Sequence, residues 1–250
     1  VDSLKILLLD IETSPNTAHV WGLFKQSVSI NQIMESSYVM CWAAKWYQDD
    51  HVYFDSIMKS KHKTMIGGIH KLIDEADAVL HYNGSKFDIP TLNKEFLLHN
   101  FTPPAPYKQI DLLRVSKNKF RFPSNKLDYV AQQLGLGKKT SHTGHELWVQ
   151  CMARNKDAWK LMEEYNKNDV ILLEKVYDKF KPWITTHPNH GTYEGGVCCP
   201  NCGGIKYQRR GWAVTVAHKY PRYQCKECGS WFKGTLMDME GNPKRVSNIS

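Results

Sequence analysis

Asp10 and Glu12 flank Ile11 at the end of the apolar run Leu4-Lys5-Ile6-Leu7-Leu8-Leu9. In an extended strand the side chains alternate, so Asp10 and Glu12 point to one side and Ile11 to the other. Two carboxylates held that close raise each other's pKa, and a hard divalent cation relieves the repulsion with the ligands it prefers. A strand end running into the solvated turn Thr13-Ser14-Pro15 is the plainer alternative. A second acidic site follows in His81-Tyr82-Asn83-Gly84-Ser85-Lys86-Phe87-Asp88, between the apolar stretch Ala78-Val79-Leu80 and a helical pattern through Leu92, Phe96 and Leu97. Asp88 is placed to cap that helix by accepting first-turn amides, which does not preclude metal work. The third is Tyr165-Asn166-Lys167-Asn168-Asp169, where Ala158, Leu161, Met162, Tyr165, Asp169, Leu172, Leu173 and Val176 approximate one helix face. Tyr165 and Asp169 are one turn apart, so their side chains meet. An acid on an apolar face is costly unless a metal or a lysine answers it.

A different chemistry closes the chain. Cys199-Pro200-Asn201-Cys202-Gly203 and Cys225-Lys226-Glu227-Cys228-Gly229 are two Cys-x-x-Cys pairs. Together they offer four thiolates to one tetrahedral ion. Glycine after each pair permits the tight turn that brings backbone amides toward the sulfurs. Disulfides and an iron–sulfur cluster compete for the same residues, but seven cysteines leave one unpaired and no secretion signal is apparent. Both knuckles resemble those of a zinc ribbon, which implies one structural Zn²⁺ on Cys199, Cys202, Cys225 and Cys228. Cys198 leaves the register open by one residue, and Cys199 is preferred because it gives two matching knuckles. Cys41 is expected in the core.

Strands are expected at 4–10, 38–47, 51–54, 79–81 and 107–112, and helices at 65–75, 89–99, 125–134 and 156–178. Ser124-Asn125 starts the third helix and Gly135 stops it. Mixed strands and helices predict an α/β sheet covered by helices. Lys181-Pro182 ends the long helix. The expected organisation is a domain over residues 1–182, a linker over 183–195, the ribbon over 196–240 and a flexible tail over 241–250.

The three acidic motifs, taken in order, resemble the 3′–5′ exonucleases of the DnaQ-like, ribonuclease H-like superfamily. Asp10 and Glu12 match the first motif, Asn83, Phe87 and Asp88 the second, and Tyr165 and Asp169 the third, in the branch that uses tyrosine. The resemblance covers roughly residues 4–180, and the branch includes polymerase proofreading domains and the ribonuclease D group. It implies a ribonuclease H-like mixed sheet flanked by helices and hydrolysis by two Mg²⁺ or Mn²⁺ ions. By the same pattern Asp10 touches both ions, Glu12 and Asp169 hold the nucleophile-side ion, and Asp88 serves the leaving-group side. Tyr165 orients the attacking water; a phenol with a pKa of about 10 is a poor base at neutral pH. The branch that uses histidine would place one shortly before the last aspartate. Tyr165 stands there, and His142 and His145 are too far upstream, although either could sit near the phosphate.

The formal net charge is +8, and residues 196–250 hold nine Lys or Arg against three Asp or Glu. That balance favours a polyanion. Lys117, Lys119 and Arg121 interleave with Phe120 and Phe122, as cations and aromatics do where phosphates and unpaired bases bind. A solvated loop with two core phenylalanines is the ordinary alternative. In the ribbon Arg209, Arg210, Lys219 and Arg222 stand beside Trp212, Tyr220 and Tyr223. Expected partners are DNA first and RNA second, with Asn83 as a further contact, and a replication or repair protein as an alternative use of the ribbon. Single strands or frayed 3′ ends suit the carboxylate site. A structure-dependent endonuclease and a non-catalytic adaptor are the alternatives. The chain has no room for a polymerase domain, so a stand-alone nuclease is the nearer analogue. No apolar run is long enough to span a membrane and no signal segment is apparent, so a cytoplasmic or other intracellular setting is expected, in a cell or a phage-infected one.

Overall fold

The computed structural model describes residues 3–141, 143–238 and 240–249, so the expectation for His142 lies outside the described residues. β1 (Ile6–Thr13) is the centre of the larger sheet. It is followed by a small ribbon of β2 (Thr17–Ala18) and β3 (Ile33–Glu35), then β4 (Val39–Trp46) and β5 (Val52–Ser56). The chain continues through α1 (His62–Asp74), β6 (Ala78–His81), α2 (Asp88–Leu98), β7 (Lys108–Asp111) and α3 (Leu112–Lys119). The strand order is β5-β4-β1-β6-β7, antiparallel from β5 to β1 and parallel from β1 to β7. This is the ribonuclease H-like mixed sheet that the motifs implied.

Alternation along β1 decides what each face carries. Ile6 and Leu8 pack with α4 (Leu127–Gln133) and α6 (Lys156–Phe180) on one face. Leu7, Leu9 and Ile11 pack with α1 and α2 on the other. Leu7 and Leu8 have no exposed surface; full burial of such a side chain stabilises by about 1.5–3 kcal/mol. Between α4 and α6 lies α5 (His145–Met152). α6 begins where Asn155 Oδ1 accepts the amides of Asp157 and Ala158 at 2.9 and 3.1 Å, and it is latched to the sheet by the half-buried pair Lys45–Glu174.

Two helices of the larger domain differ from the sequence reading. Residues 112–119 form α3, capped by Asp111, whose side chain accepts from Leu113 and Arg114; eight residues with two lysines in the last turn carry too little apolar pattern to announce a helix. α5 was unassigned for the same reason of length. Gly135 does stop α4, at φ +68°.

The C-terminal body is a four-stranded antiparallel sheet, β11-β10-β9-β8. It comprises β8 (Tyr207–Val214), β9 (Lys219–Cys225), β10 (Trp231–Met237) and β11 (Pro243–Asn248). The expected flexible tail at 241–250 is therefore corrected: Phe232 to Lys233 pair with Asn248 to Ser247, and buried Val246 joins the small core around Phe232. Nor is 183–195 a free linker. It holds α7 (His190–Tyr193), and Asn201 Nδ2 donates to the carbonyls of Lys181 and Ile184 at 2.6 and 2.9 Å. Asn189 reaches the Val246 carbonyl at 2.9 Å. No helix among the described residues is long and apolar enough to cross a membrane.

Candidate active site and cysteine cluster

Asp10 and Glu12 continue the Ile6–Leu8 face of β1 beyond the core, toward α6. There Asp169 rises to meet them, and one oxygen from each of the three lies within 4.8 Å of the others. Asp88 arrives from the opposite layer. It is the first residue of α2 rather than its cap, which corrects the capping expectation: its Oδ1 accepts the Ile11 amide of β1 at 3.2 Å. The helix start is thereby tied to the strand that carries the other acids.

Electrostatics of the cluster are those of negative charge gathered out of water. Burial, then the charges of Asp169, Glu12 and Asp88, push the Asp10 carboxyl well above the usual range. Burial and Asp169 raise Glu12 to about 8, burial raises Asp88 to about 7, and burial also raises Asp169. Asp169 Oδ1 is buried with no hydrogen-bond partner among the described residues. An all-oxygen set with an orphaned carboxylate oxygen fits hard divalent cations such as Mg²⁺ or Mn²⁺ better than softer ions. Tyr165 is nearly buried, and burial, Asp169 and Glu12 raise its pKa. Its phenol therefore stays protonated.

Three residues that the sequence reading did not single out complete the cluster. Asn166, between Tyr165 and Asp169, donates to Asp10 Oδ2 at 2.6 Å. Lys139 comes from the basic loop after α4; its ammonium pairs with Asp169 and lies 3.2 Å from the Tyr165 hydroxyl. Burial would lower its pKa, and Asp169, Tyr165 and Asp10 outweigh burial, so it stays charged. Trp148 of α5 hydrogen-bonds Glu12 and packs edge-on to Tyr165 with centroids 6.1 Å apart. Asn166 had a signal, since it shares the Tyr-x-x-x-Asp turn. Lys139 and Trp148 are placed by chain segments whose approach no local pattern encodes.

A groove of about 610 Å³ opens beside the cluster, lined by Asp10, Asn83, Lys117, Lys126 and Lys139 among others. Asn83 and Lys117, expected as substrate contacts, both line this groove. Asn83 has φ +70°, in a turn held by Asp111, which accepts the Asn83 amide at 3.0 Å and the Ser85 hydroxyl. Arg121 is exposed and outside that lining. Phe120 and Phe122 pack on the core, Phe120 against Phe180 at 4.7 Å between centroids. Both are half-buried against that core. His145 is the first residue of α5.

In the C-terminal sheet the four expected cysteines converge. Cys199 and Cys228 sulfurs are 3.6 Å apart, and those of Cys202 and Cys225 3.7 Å. Zn–S bonds of about 2.3 Å in a tetrahedron require sulfur spacings of about 3.8 Å. The Ser230 hydroxyl lies 2.9 Å from Cys199 Sγ and 3.1 Å from Cys228 Sγ. Gly203 and Gly229 have φ +72° and +85°, as the knuckle turns require. Cys198 packs instead on α7, 3.4 Å from where a Gly191 Cβ would lie. All seven cysteines are free of disulfides, and the cluster with its β-rich surround fits a zinc ribbon. Arg209, Arg210, Lys219 and Arg222 lie on this sheet.

Comparison with known proteins agrees with this architecture. No curated protein matches the chain. Among solved structures, the family B DNA polymerase of the hyperthermophilic archaeon Pyrobaculum calidifontis is similar in fold, with a TM-score of 0.55 at 18% identity. The likeness covers 73% of this chain and 25% of the polymerase. The RNase_H superfamily model matches residues 7–181, from the first core residues of β1 to the end of α6. With the mixed sheet and its acidic edge, that match shows that the chain belongs to the RNase H superfamily.

Proposed function

We propose that the chain is a divalent-metal-dependent 3′–5′ exonuclease of the DnaQ-like, tyrosine-bearing branch. It acts on single-stranded or frayed 3′ ends of DNA and releases nucleoside 5′-monophosphates. The observation that carries this reading is the meeting of Asp10, Glu12 and Asp169 within 4.8 Å, with Asp88 tied beside them. Asp10, Glu12, Asp88 and Asp169 would hold two Mg²⁺ or Mn²⁺ ions. When bound, such ions acidify the attacking water and stabilise charge on the phosphoryl oxygens. Asn166 holds the Asp10 carboxylate in orientation. The protonated Tyr165 orients the attacking water by hydrogen bonding, and Lys139 keeps Tyr165 and Asp169 together. DNA is preferred because the similar fold belongs to a DNA polymerase. The four cysteines would hold one structural Zn²⁺, which leaves the acidic centre to do the hydrolysis.

End-labelled strands test the reading. With Mg²⁺ or Mn²⁺, a 5′-labelled single strand shortens progressively, while a 3′ label is released at once. RNA and duplex DNA run in parallel establish the substrate class. Mononucleotide release from the 5′ end, or internal cuts that leave both ends intact, would remove the assignment.

A further inference from the structure

A second groove, of about 600 Å³, lies at the junction of the two bodies. Trp183 and Lys119 line it from the larger domain, and Trp212, Arg222 and Trp231 from the ribbon. The three tryptophans are 55%, 43% and 38% exposed. Large rings left open to water are unusual, and here each has a cation or another ring against it. Arg209 and Lys219 sit 4.7 and 4.6 Å from the Trp212 ring centre. Arg222 sits 4.9 Å from that of Trp231, and Trp183 packs edge-on to Phe120 at 5.4 Å.

The arrangement is built by the backbone. Arg209 and Trp212 are three residues apart and would fall on opposite faces of a regular strand. The β8–β9 register shifts between them, at Gly211 with φ +77°, and the bulge puts both on one face. Arg222 is fixed in turn, its Nε donating to the Arg210 carbonyl at 2.9 Å. None of the described residues lining the groove is acidic.

The groove also leads toward the carboxylates. Trp183, Thr185 and Lys119 are shared with a smaller groove that runs along α3 past Arg114 and Asn118 to Ser85. On the other side of α3, Leu113 and Lys117 line the groove that holds Asp10 and Asn83. Cationic side chains thus stand on both sides of α3, Arg114 and Lys119 on the side that continues to the ribbon and Lys117 on the side of the acidic centre.

We propose that this junction groove is a binding site for single-stranded nucleic acid, gripping the strand several nucleotides from the end that enters the carboxylate site. Bases stack on Trp183, Trp212 and Trp231, and phosphates are met by Lys119 and Arg222, the cations that line the groove. The direction of the strand rests on the exonuclease reading; the groove's preference for single strands does not. A flat ring with a cation beside it accepts any unpaired base with its phosphate, whereas the faces of bases inside a duplex are already stacked on their neighbours. A polypeptide ligand would find no acidic group in the lining to answer its own cations.

The test uses the full chain, with divalent cation withheld so that no cleavage occurs, and 5′-fluorescein oligothymidylates of about 4 and about 20 nucleotides, short of and beyond the site sizes usual for such surfaces. Wild type binds the longer strand more tightly and its tryptophan fluorescence is quenched. Trp212→Ala weakens the longer strand about tenfold, as expected for the loss of one stacked base, and leaves the shorter one unchanged. Trp212→Phe keeps most of the affinity. Trp183→Ala repeats the loss from outside the ribbon, so ribbon folding is not at issue, and zinc content reports the fold of the Trp212 variants. Equal affinity in all three variants, or an equal loss for both strand lengths, overturns the proposal; the first result would leave the groove to a polypeptide. Length-dependent binding without cleavage on adding Mn²⁺ would sink the exonuclease reading and leave the groove standing. Cleavage with unchanged affinity would do the reverse.

Discussion

The acidic centre and the cysteine cluster are both suited to metal ions, and they are built in opposite ways. Four sulfurs come from two short knuckles on one small sheet, with spacings near 3.7 Å and a serine hydroxyl against two of them. The carboxylates come from β1, α2 and α6, far apart in sequence, and gather beside an open groove. A soft, closed set suits a structural ion that stays; a hard, half-open set suits ions that work on a bound phosphate. An ion on the first set would be coupled to local folding. The second strains the fold that makes it, since burial and mutual repulsion raise its carboxyls.

That contrast breaks most sharply at Asp10. Asp10→Asn is expected to lower cleavage on the order of 10³-fold, comparable to losing a principal stabiliser of transition-state charge, with the fold intact by circular dichroism. Wild-type rates in this variant would place hydrolysis elsewhere. At the other centre, Cys199→Ser should release the ribbon's zinc and unfold mainly 196–248, because metal binding and folding are coupled there. Affinity for a long single strand should fall about 10²-fold through loss of two stacking rings, with the larger sheet's melting transition retained. Full zinc retention would show that the sulfurs are not ligands. Tyr165→Phe should cost about tenfold in rate, less than a lost ligand, because the ring still packs against Trp148 and only the hydroxyl is gone. Its divalent-ion dependence should match wild type; a shifted dependence would make the phenol a ligand.

The smallest effect concerns pH and stability. Glu12 titrates near 8 and Asp88 near 7 in the fold, against unfolded values of about 4.3 and 3.9. Between those limits the folded chain binds more protons than the unfolded one, so stability falls as pH rises. Without added divalent ion, the melting temperature of the larger domain should decline from pH 5 to pH 8, and Mn²⁺ should reverse the decline. Glu12→Gln should raise it at pH 8 by about 2–4 °C, the shift for about 1 kcal/mol in a domain of this size. A lower melting temperature in this variant would mean that the carboxylates are not in conflict.

The sequence by itself determined what depends on neighbours along the chain. Alternation in β1 placed Asp10 and Glu12 together, the turn of α6 placed Tyr165 over Asp169, and two Cys-x-x-Cys-Gly knuckles announced their cluster. Strand and helix periods repeat over a few residues, so these patterns survive without tertiary information. Tertiary structure decided which segments meet. Asp88 looks like a helix cap until β1 presents the Ile11 amide to it. Lys139 is one of several loop lysines until the loop folds back on α6. Residues 243–248 look like a polar tail until β10 offers an edge to pair with. Phe120 and Phe122 look like loop residues until they pack against the core, Phe120 on Phe180 of α6, while Trp183, Trp212 and Trp231, from three distant segments, line one groove. The physical reason is common to all of these. Burial, charge pairing and edge pairing are energies between elements, and no local period records which elements the collapse of the core will bring together.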